Sequence, residues 1–107
     1  MNSTRFQQLQ ALLQDNPQDS FLLFAIAKEY EKAQDWQEAL AYYVKLLEQD
    51  AGYIGAYYHL AKLYEKIEQP EKALEVYQRG MDLATAIGDR HALSELAAAK
   101  LNLEIEL

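Results

Sequence analysis

The sequence predicts an all-α protein built from antiparallel helix hairpins. Three observations carry that prediction. The first is an internal repeat: shifted by 34 residues, Ala27-Lys28 falls on Ala61-Lys62, Tyr30-Glu31-Lys32 on Tyr64-Glu65-Lys66, Ala39-Leu40 on Ala73-Leu74, and Tyr43 on Tyr77. A fixed period of this size marks an array of stacked supersecondary units, which more often bind other chains than catalyse. The second is apolar spacing at i, i+3, i+4 and i+7 in one segment after another, with no alternating β-branched run to signal a strand. The third is punctuation: Pro17, Gly52, Pro70 and Gly88 fall where the periodicity lapses.

About six helices follow in order. Phe6, Leu9, Leu12 and Leu13 give the first, about Thr4 to Asp15, with Ser3 as N-cap and Asn16-Pro17 as its end. Leu23, Ile26, Ala27 and Tyr30 form one face of the second, about Ser20 to Ala33, capped by Asp19 or Ser20. Asp35-Trp36-Gln37-Glu38 has capping-box spacing with Asp in place of Ser or Thr, and opens a third helix reaching about Gln49. After the break at Asp50-Ala51-Gly52, a fourth helix from about Tyr53 to Ile67 repeats the second through Tyr57, Leu60, Ala61 and Tyr64. Pro70 occupies the first position of the fifth helix, where its missing N–H costs nothing, and Gly88 is its left-handed end. Asp89 caps a last helix to about Glu106. Links of roughly two to five residues force neighbouring helices antiparallel, so each period is one helix hairpin.

The bulk composition narrows the function. Half the residues are apolar and a quarter charged, as in an ordinary globular protein. With 17 acidic against 10 basic residues the formal charge is −7, which disfavours nucleic-acid binding because phosphates call for a basic face. No apolar run approaches the roughly 18 residues of a membrane span, and the polar start lacks a signal core. There are no cysteines, which removes disulfides and thiolate chemistry and fits a reducing compartment; the expectation is a cytoplasmic protein. His59 and His91 are the only histidines, and they are not at helical spacing for a metal pair. No Ser-His-Asp grouping, glycine-rich phosphate loop or HExxH motif is present. The expectation is therefore no catalytic residue, no metal, no cofactor and no enzyme activity. The many carboxylates, including the neighbours Glu31/Lys32 and Glu65/Lys66, read as a solvated surface.

The repeated residues resemble the tetratricopeptide repeat family. That pattern is a large residue, then Leu-Gly/Ala, then Tyr on a first helix, followed by Ala-Leu and an aromatic on a second. Here the first repeat supplies Leu23, Ile26-Ala27, Tyr30, Ala39-Leu40 and Tyr43, and the second supplies Tyr57, Leu60-Ala61, Tyr64, Ala73-Leu74 and Tyr77. Trp36 and Pro70 stand at the turns inside the hairpins. The resemblance implies a tetratricopeptide-like α–α superhelix in one domain, 1–107. It would comprise a half-repeat helix (1–19), repeats at 20–53 and 54–87, and a capping helix (88–107). Gly80 departs from the family's alanine, Ala51 and Thr85 replace its closing prolines, and the segment from Asp89 loses the pattern. Small Ala27, Ala61, Ala39 and Ala73 would let the helices approach closely, and the tyrosines would fill the wider gaps and reach polar partners with their hydroxyls.

The resemblance also implies that the first helix of each hairpin lines a concave face where peptides lie. On this chain that face presents Phe21, Phe24, Lys28 and Glu31 from one repeat and Tyr58, His59, Lys62 and Glu65 from the other. Phe24 and Tyr58, like Lys28 and Lys62, correspond at offset 34. An aromatic floor with two lysines suits an extended or helical peptide with an acidic group. A carboxylate clamp of the kind some members use lacks its asparagines, because Ala25 and His59 take those places. The expected function is a non-catalytic interaction module whose concave face binds a peptide or a partner protein. The alternative is a homodimeric scaffold joined through the terminal helices, since the last helix is apolar on more than one face.

Overall fold

In a computed structural model that describes residues 3–107, six helices make up most of the described residues, and no strand occurs among them. They are α1 (Thr4–Asp15), α2 (Ser20–Lys32), α3 (Trp36–Gln49), α4 (Gly55–Lys66), α5 (Pro70–Ile87) and α6 (Arg90–Glu106). Contacts divide them into two compact units, one ending at Ala51 with α1–α3, the other beginning at Gly52 with α4–α6.

The helix starts follow from side-chain chemistry. An orphan N–H in the first turn finds an acceptor one turn back: Phe6 on the Ser3 hydroxyl at 3.0 Å, Leu22 on Asp19 at 3.0 Å, Glu38 on Asp35 at 3.4 Å and Ala92 on Asp89 at 3.0 Å. Pro70 opens α5. The exception is α4, which begins two residues after the expected Tyr53. No side chain caps it, and the chain enters through a tight turn in which the Ala56 N–H donates to the Tyr53 carbonyl at 3.1 Å.

Three helix ends share one device that sequence reading found only at Gly88. In each, a left-handed residue lets two amide groups turn back onto the last carbonyls, the Schellman arrangement. After α2, Gln34 (φ 60°) donates to the Glu31 carbonyl at 2.9 Å and Asp35 to the Tyr30 carbonyl at 3.0 Å. After α4, Glu68 (φ 62°) donates to Glu65 at 3.1 Å and Gln69 to Tyr64 at 2.9 Å. After α5, Gly88 (φ 75°) donates to Thr85 at 3.3 Å and Asp89 to Ala84 at 2.9 Å. Only the last uses the residue type suited to positive φ.

In the first unit, α1 lays Phe6 and Leu9 on Leu22, Ala25 and Ile26 of α2, flanked by Leu13, Tyr30 and Tyr42. Phe6 meets Tyr30 edge-on at 5.1 Å between centroids, and Tyr30 stacks on Tyr42 at 5.6 Å. The α2/α3 hairpin closes over Leu23, Ala27, Ala39, Tyr43 and Leu46, all without solvent exposure. Each large side chain buried this way contributes about 1.5–3 kcal/mol. Polar ties secure the open end: the Ser20 hydroxyl donates to Asp50 at 2.7 Å, and the Gln49 amide to the Gln18 carbonyl at 2.8 Å. Glu29, the only buried charged residue among those described, meets Lys32 at 2.9 Å and Arg5 at 3.6 Å. The hydrogen bond from Lys32, helped by the charges of Lys32 and Arg5 and opposed by burial, holds its carboxyl below the usual range.

The second unit repeats the hairpin with Tyr57, Leu60, Ala61, Ala73 and Tyr77 in its core. Gly80 is the point where it departs from the first. A Cβ there would lie 2.9 Å from Leu96 Cδ1 and 2.9 Å from Tyr57 Cβ, so the missing side chain is the space into which α4 and α6 press against α5. In α6, Leu93 and Leu96 lie 36 residues after Tyr57 and Leu60, two beyond the period of the repeats, and Lys100 stands where that spacing would place the repeat tyrosine. Leu96 is buried like Leu60, and Leu103 is buried too, while Leu101, Ile105 and Leu107 are exposed.

Candidate functional site

The outward face of α2 carries Phe21, Phe24, Lys28 and Glu31 on successive turns. Phe21 is 61% exposed. Phe24 is half-buried, its ring edge-on to Tyr43 at 6.0 Å, and the exposed Lys28 ammonium sits 5.5 Å from the Phe24 centroid. The Tyr43 hydroxyl donates to Glu31 at 2.5 Å. Burial first, then this bond and the Glu31 charge, push the Tyr43 hydroxyl pKa far above its ordinary value, so Tyr43 remains a donor.

The outward face of α4 follows the same plan. Tyr58 and His59 are half-buried with rings edge-on at 6.0 Å. The Tyr77 hydroxyl donates to Glu65 at 2.5 Å, and the same carboxylate oxygen lies 3.8 Å from the Lys62 ammonium. Burial again leads in raising Tyr77, followed by the bond to Glu65, the charge of Glu65 and the nearby Tyr58. Each hairpin thus presents an aromatic, a lysine and a glutamate at i, i+4 and i+7: Phe24/Lys28/Glu31 and Tyr58/Lys62/Glu65. In each, the glutamate is fixed by a buried tyrosine of the second helix.

That anchoring revises the reading of Glu31/Lys32 and Glu65/Lys66 as merely solvated neighbours. Adjacent residues on a helix do not face each other. Glu31 and Glu65 turn to the tyrosines, and Lys32 turns to Glu29. The signal was present in the sequence, since 43−31 and 77−65 are both 12. The two places where a clamp would need asparagine differ from each other: Ala25 is buried, and His59 is half-buried.

Chemically, the arrangement offers aromatic contact area, an ammonium donor and an oriented carboxylate acceptor. Among the described residues, no group of histidine, aspartate and glutamate is placed to hold a metal ion. No described helix is long and apolar enough to cross a membrane.

The tetratricopeptide repeat family's sequence model matches residues 30–99, well over half of the chain. The chain belongs to the tetratricopeptide repeat family. It is similar to a tetratricopeptide repeat domain protein from Salinibacter ruber, with 41% identity over 80% of this chain and 96% of that one, at a TM-score of 0.77. A Bordetella parapertussis protein shares 24% identity over 99% and 91% of the two chains, at a TM-score of 0.85. The TPR2B domain of yeast Sti1, solved in complex with pHsp70, shares the fold at 17% identity, covering 95% and 82% at a TM-score of 0.87. No curated protein matches the chain. The tetratricopeptide fold generally mediates protein–protein interaction, and the family is typically non-catalytic.

Proposed function

We propose that this tetratricopeptide repeat protein is a non-catalytic interaction module. The outward face of α2, through Phe21, Phe24 and Lys28, and that of α4, through Tyr58, His59 and Lys62, each bind a peptide or partner segment. One observation supports this above the rest: both repeats keep an aromatic and a lysine outside the core stripe, beside a glutamate locked by a buried tyrosine. A merely solvated face has no need of such preorganisation, whereas binding gains from it because less side-chain freedom is lost. The lysines suit an acidic group or backbone carbonyls of the peptide, the aromatics its apolar side chains, and Glu31 and Glu65 its amides. The complex of the Sti1 domain adds the precedent of a protein partner on the same fold.

The test is phage-displayed peptide selection against the purified chain, followed by titration of the selected peptides into a Phe24→Ala/Tyr58→Ala variant. The expected result is selection of a recurring motif whose binding falls by about tenfold or more in the variant. The variant's helical content should persist, since neither side chain is fully buried. Equal affinity for parent and folded variant would overturn the assignment of the site.

A further inference from the structure

We propose that the two corresponding lysines do different work: Lys28 reads an acidic side chain and Lys62 does not, so the segment bound on α2 carries an aspartate or glutamate near an apolar residue. This rests on the outward face of α2 being a peptide site. The Lys62 ammonium lies 3.8 Å from Glu65 Oε2, the same oxygen that accepts the Tyr77 hydroxyl. Its charge is therefore balanced already, and Glu65 would repel an incoming acid. Lys28 is exposed, its ammonium stands 5.5 Å from the Phe24 centroid, and it makes no ion pair among the described residues. The neighbouring carboxylates of α2 are engaged elsewhere, Glu31 by the Tyr43 hydroxyl and Glu29 by Lys32 and Arg5.

An aromatic face attracts an ammonium without neutralising it and without consuming its N–H donors. Lys28 thus keeps a full charge and open donors while its position is biased toward the Phe24 ring, which suits a charge-assisted bond to a carboxylate. Lys62 is left to donate to peptide carbonyls, which carry no net charge for Glu65 to repel. Helix geometry sets the spacing of the motif. Phe21, 61% exposed, precedes Lys28 by two turns, which is about 10 Å along the axis at about 1.5 Å per residue. An extended peptide rises about 3.3 Å per residue, so its apolar and acidic residues stand about three positions apart. The occupant is therefore an acidic, partly apolar segment of a partner protein, chosen by charge complementarity at one residue.

The experiment is parallel selection of a phage-displayed peptide library on the full chain, on Lys28→Met and on Lys62→Met. Methionine keeps an apolar stem without the charge, and neither lysine is buried, so circular dichroism should show intact folds. Parent and Lys62→Met should enrich an aspartate or glutamate about three positions from an apolar residue; Lys28→Met should not. Each selected peptide is then compared with its asparagine or glutamine analogue by fluorescence anisotropy. The analogue should bind about tenfold more weakly to the parent and to Lys62→Met, and equally to Lys28→Met. Loss of this discrimination in Lys62→Met, its survival in Lys28→Met, or its absence from the parent would overturn the proposal. If the peptides still depend on Phe24, only the role of Lys28 falls; if no peptide is selected, or Phe24→Ala/Tyr58→Ala binds as well as the parent, the peptide-binding reading falls with it. Association of the chain with itself that Lys28→Met abolishes, seen by light scattering, would put a second copy on this face and also overturn the proposal.

Discussion

Replacing Gly80 with alanine sets two physical effects against each other, and the structure decides the sign. In the interior of a helix, alanine is favoured over glycine by about 0.5–1 kcal/mol. At Gly80 the added methyl would sit 2.9 Å from Leu96 Cδ1, 2.9 Å from Tyr57 Cβ and 3.2 Å from Tyr57 Cγ. Comfortable carbon contacts are about 3.5–4.0 Å, so the neighbours must retreat by roughly 0.5–1 Å. Leu96 is 1% exposed and has little room to turn; Tyr57 Cβ is one bond from the backbone, so yielding there moves α4. Overpacking of this kind costs about 1–3 kcal/mol, which outweighs the propensity gain and leaves a net loss of about 1 kcal/mol. For a chain of this size that is a fall in Tm of about 4–8 °C, read by thermal melting under far-UV circular dichroism. Gly55 is the control, since nothing lies within 4 Å of its would-be Cβ; Gly55→Ala should be neutral or slightly stabilising. A Gly80→Ala protein that melts at or above the parent would refute the close approach of α4 and α6 at this point.

Other consequences follow from the hydrogen bonds and caps. Because the pKa values of Tyr43 and Tyr77 are raised above the unfolded value of about 10, their stabilisation is whole below that pH and is lost as pH rises beyond it. In an ultraviolet titration these two should ionise only with loss of helix, and reversible titration of all tyrosines with helicity intact would contradict this. Tyr43→Phe and Tyr77→Phe should each lower stability by about 1.5–3 kcal/mol in urea melts, as a hydrogen bond to a charged group is removed. Gln34→Gly and Glu68→Gly should each stabilise by about 1 kcal/mol, because both residues hold positive φ; a loss in the same melts would count against the left-handed caps. Glu29 has a lowered pKa, so its contribution is present above the ordinary glutamate value of about 4.3 and lost as pH falls through its folded value. Glu29→Gln should therefore be less stable than the parent at neutral pH and equal to it in acid, as followed by denaturant midpoints.

Much of this fold is legible in the residues because local chemistry and repeat spacing agree. Ser3, Asp19, Asp35 and Asp89 announce helix starts, and the alanine and tyrosine positions at offset 34 mark the faces that bury. What escapes is what depends on a neighbour far along the chain. Gly80 reads as a departure from the pattern, and only the positions of Leu96 and Tyr57 explain it. Gln34 and Glu68 give no sign of left-handed backbone, since neither residue type favours it; the carbonyls they satisfy belong to the helix before them. The length of α5, 18 residues where α3 has 14, is likewise not announced by the repeat. At the candidate site, Phe24, Tyr58, Lys28 and Lys62 stand out by correspondence alone. The role of Glu31 and Glu65 does not, because each also has a lysine next to it in sequence that draws the eye away from the tyrosine twelve residues on.

The repeated aromatic, lysine and glutamate sets of α2 and α4 are the proposed peptide-binding faces. Amide and side-chain chemical-shift mapping of the labelled chain, titrated with a selected peptide, tests that proposal most directly. Shifts should concentrate at Phe21, Phe24, Lys28, Tyr58, His59 and Lys62. Shifts confined to α1 or α6, with those six unmoved, would contradict it.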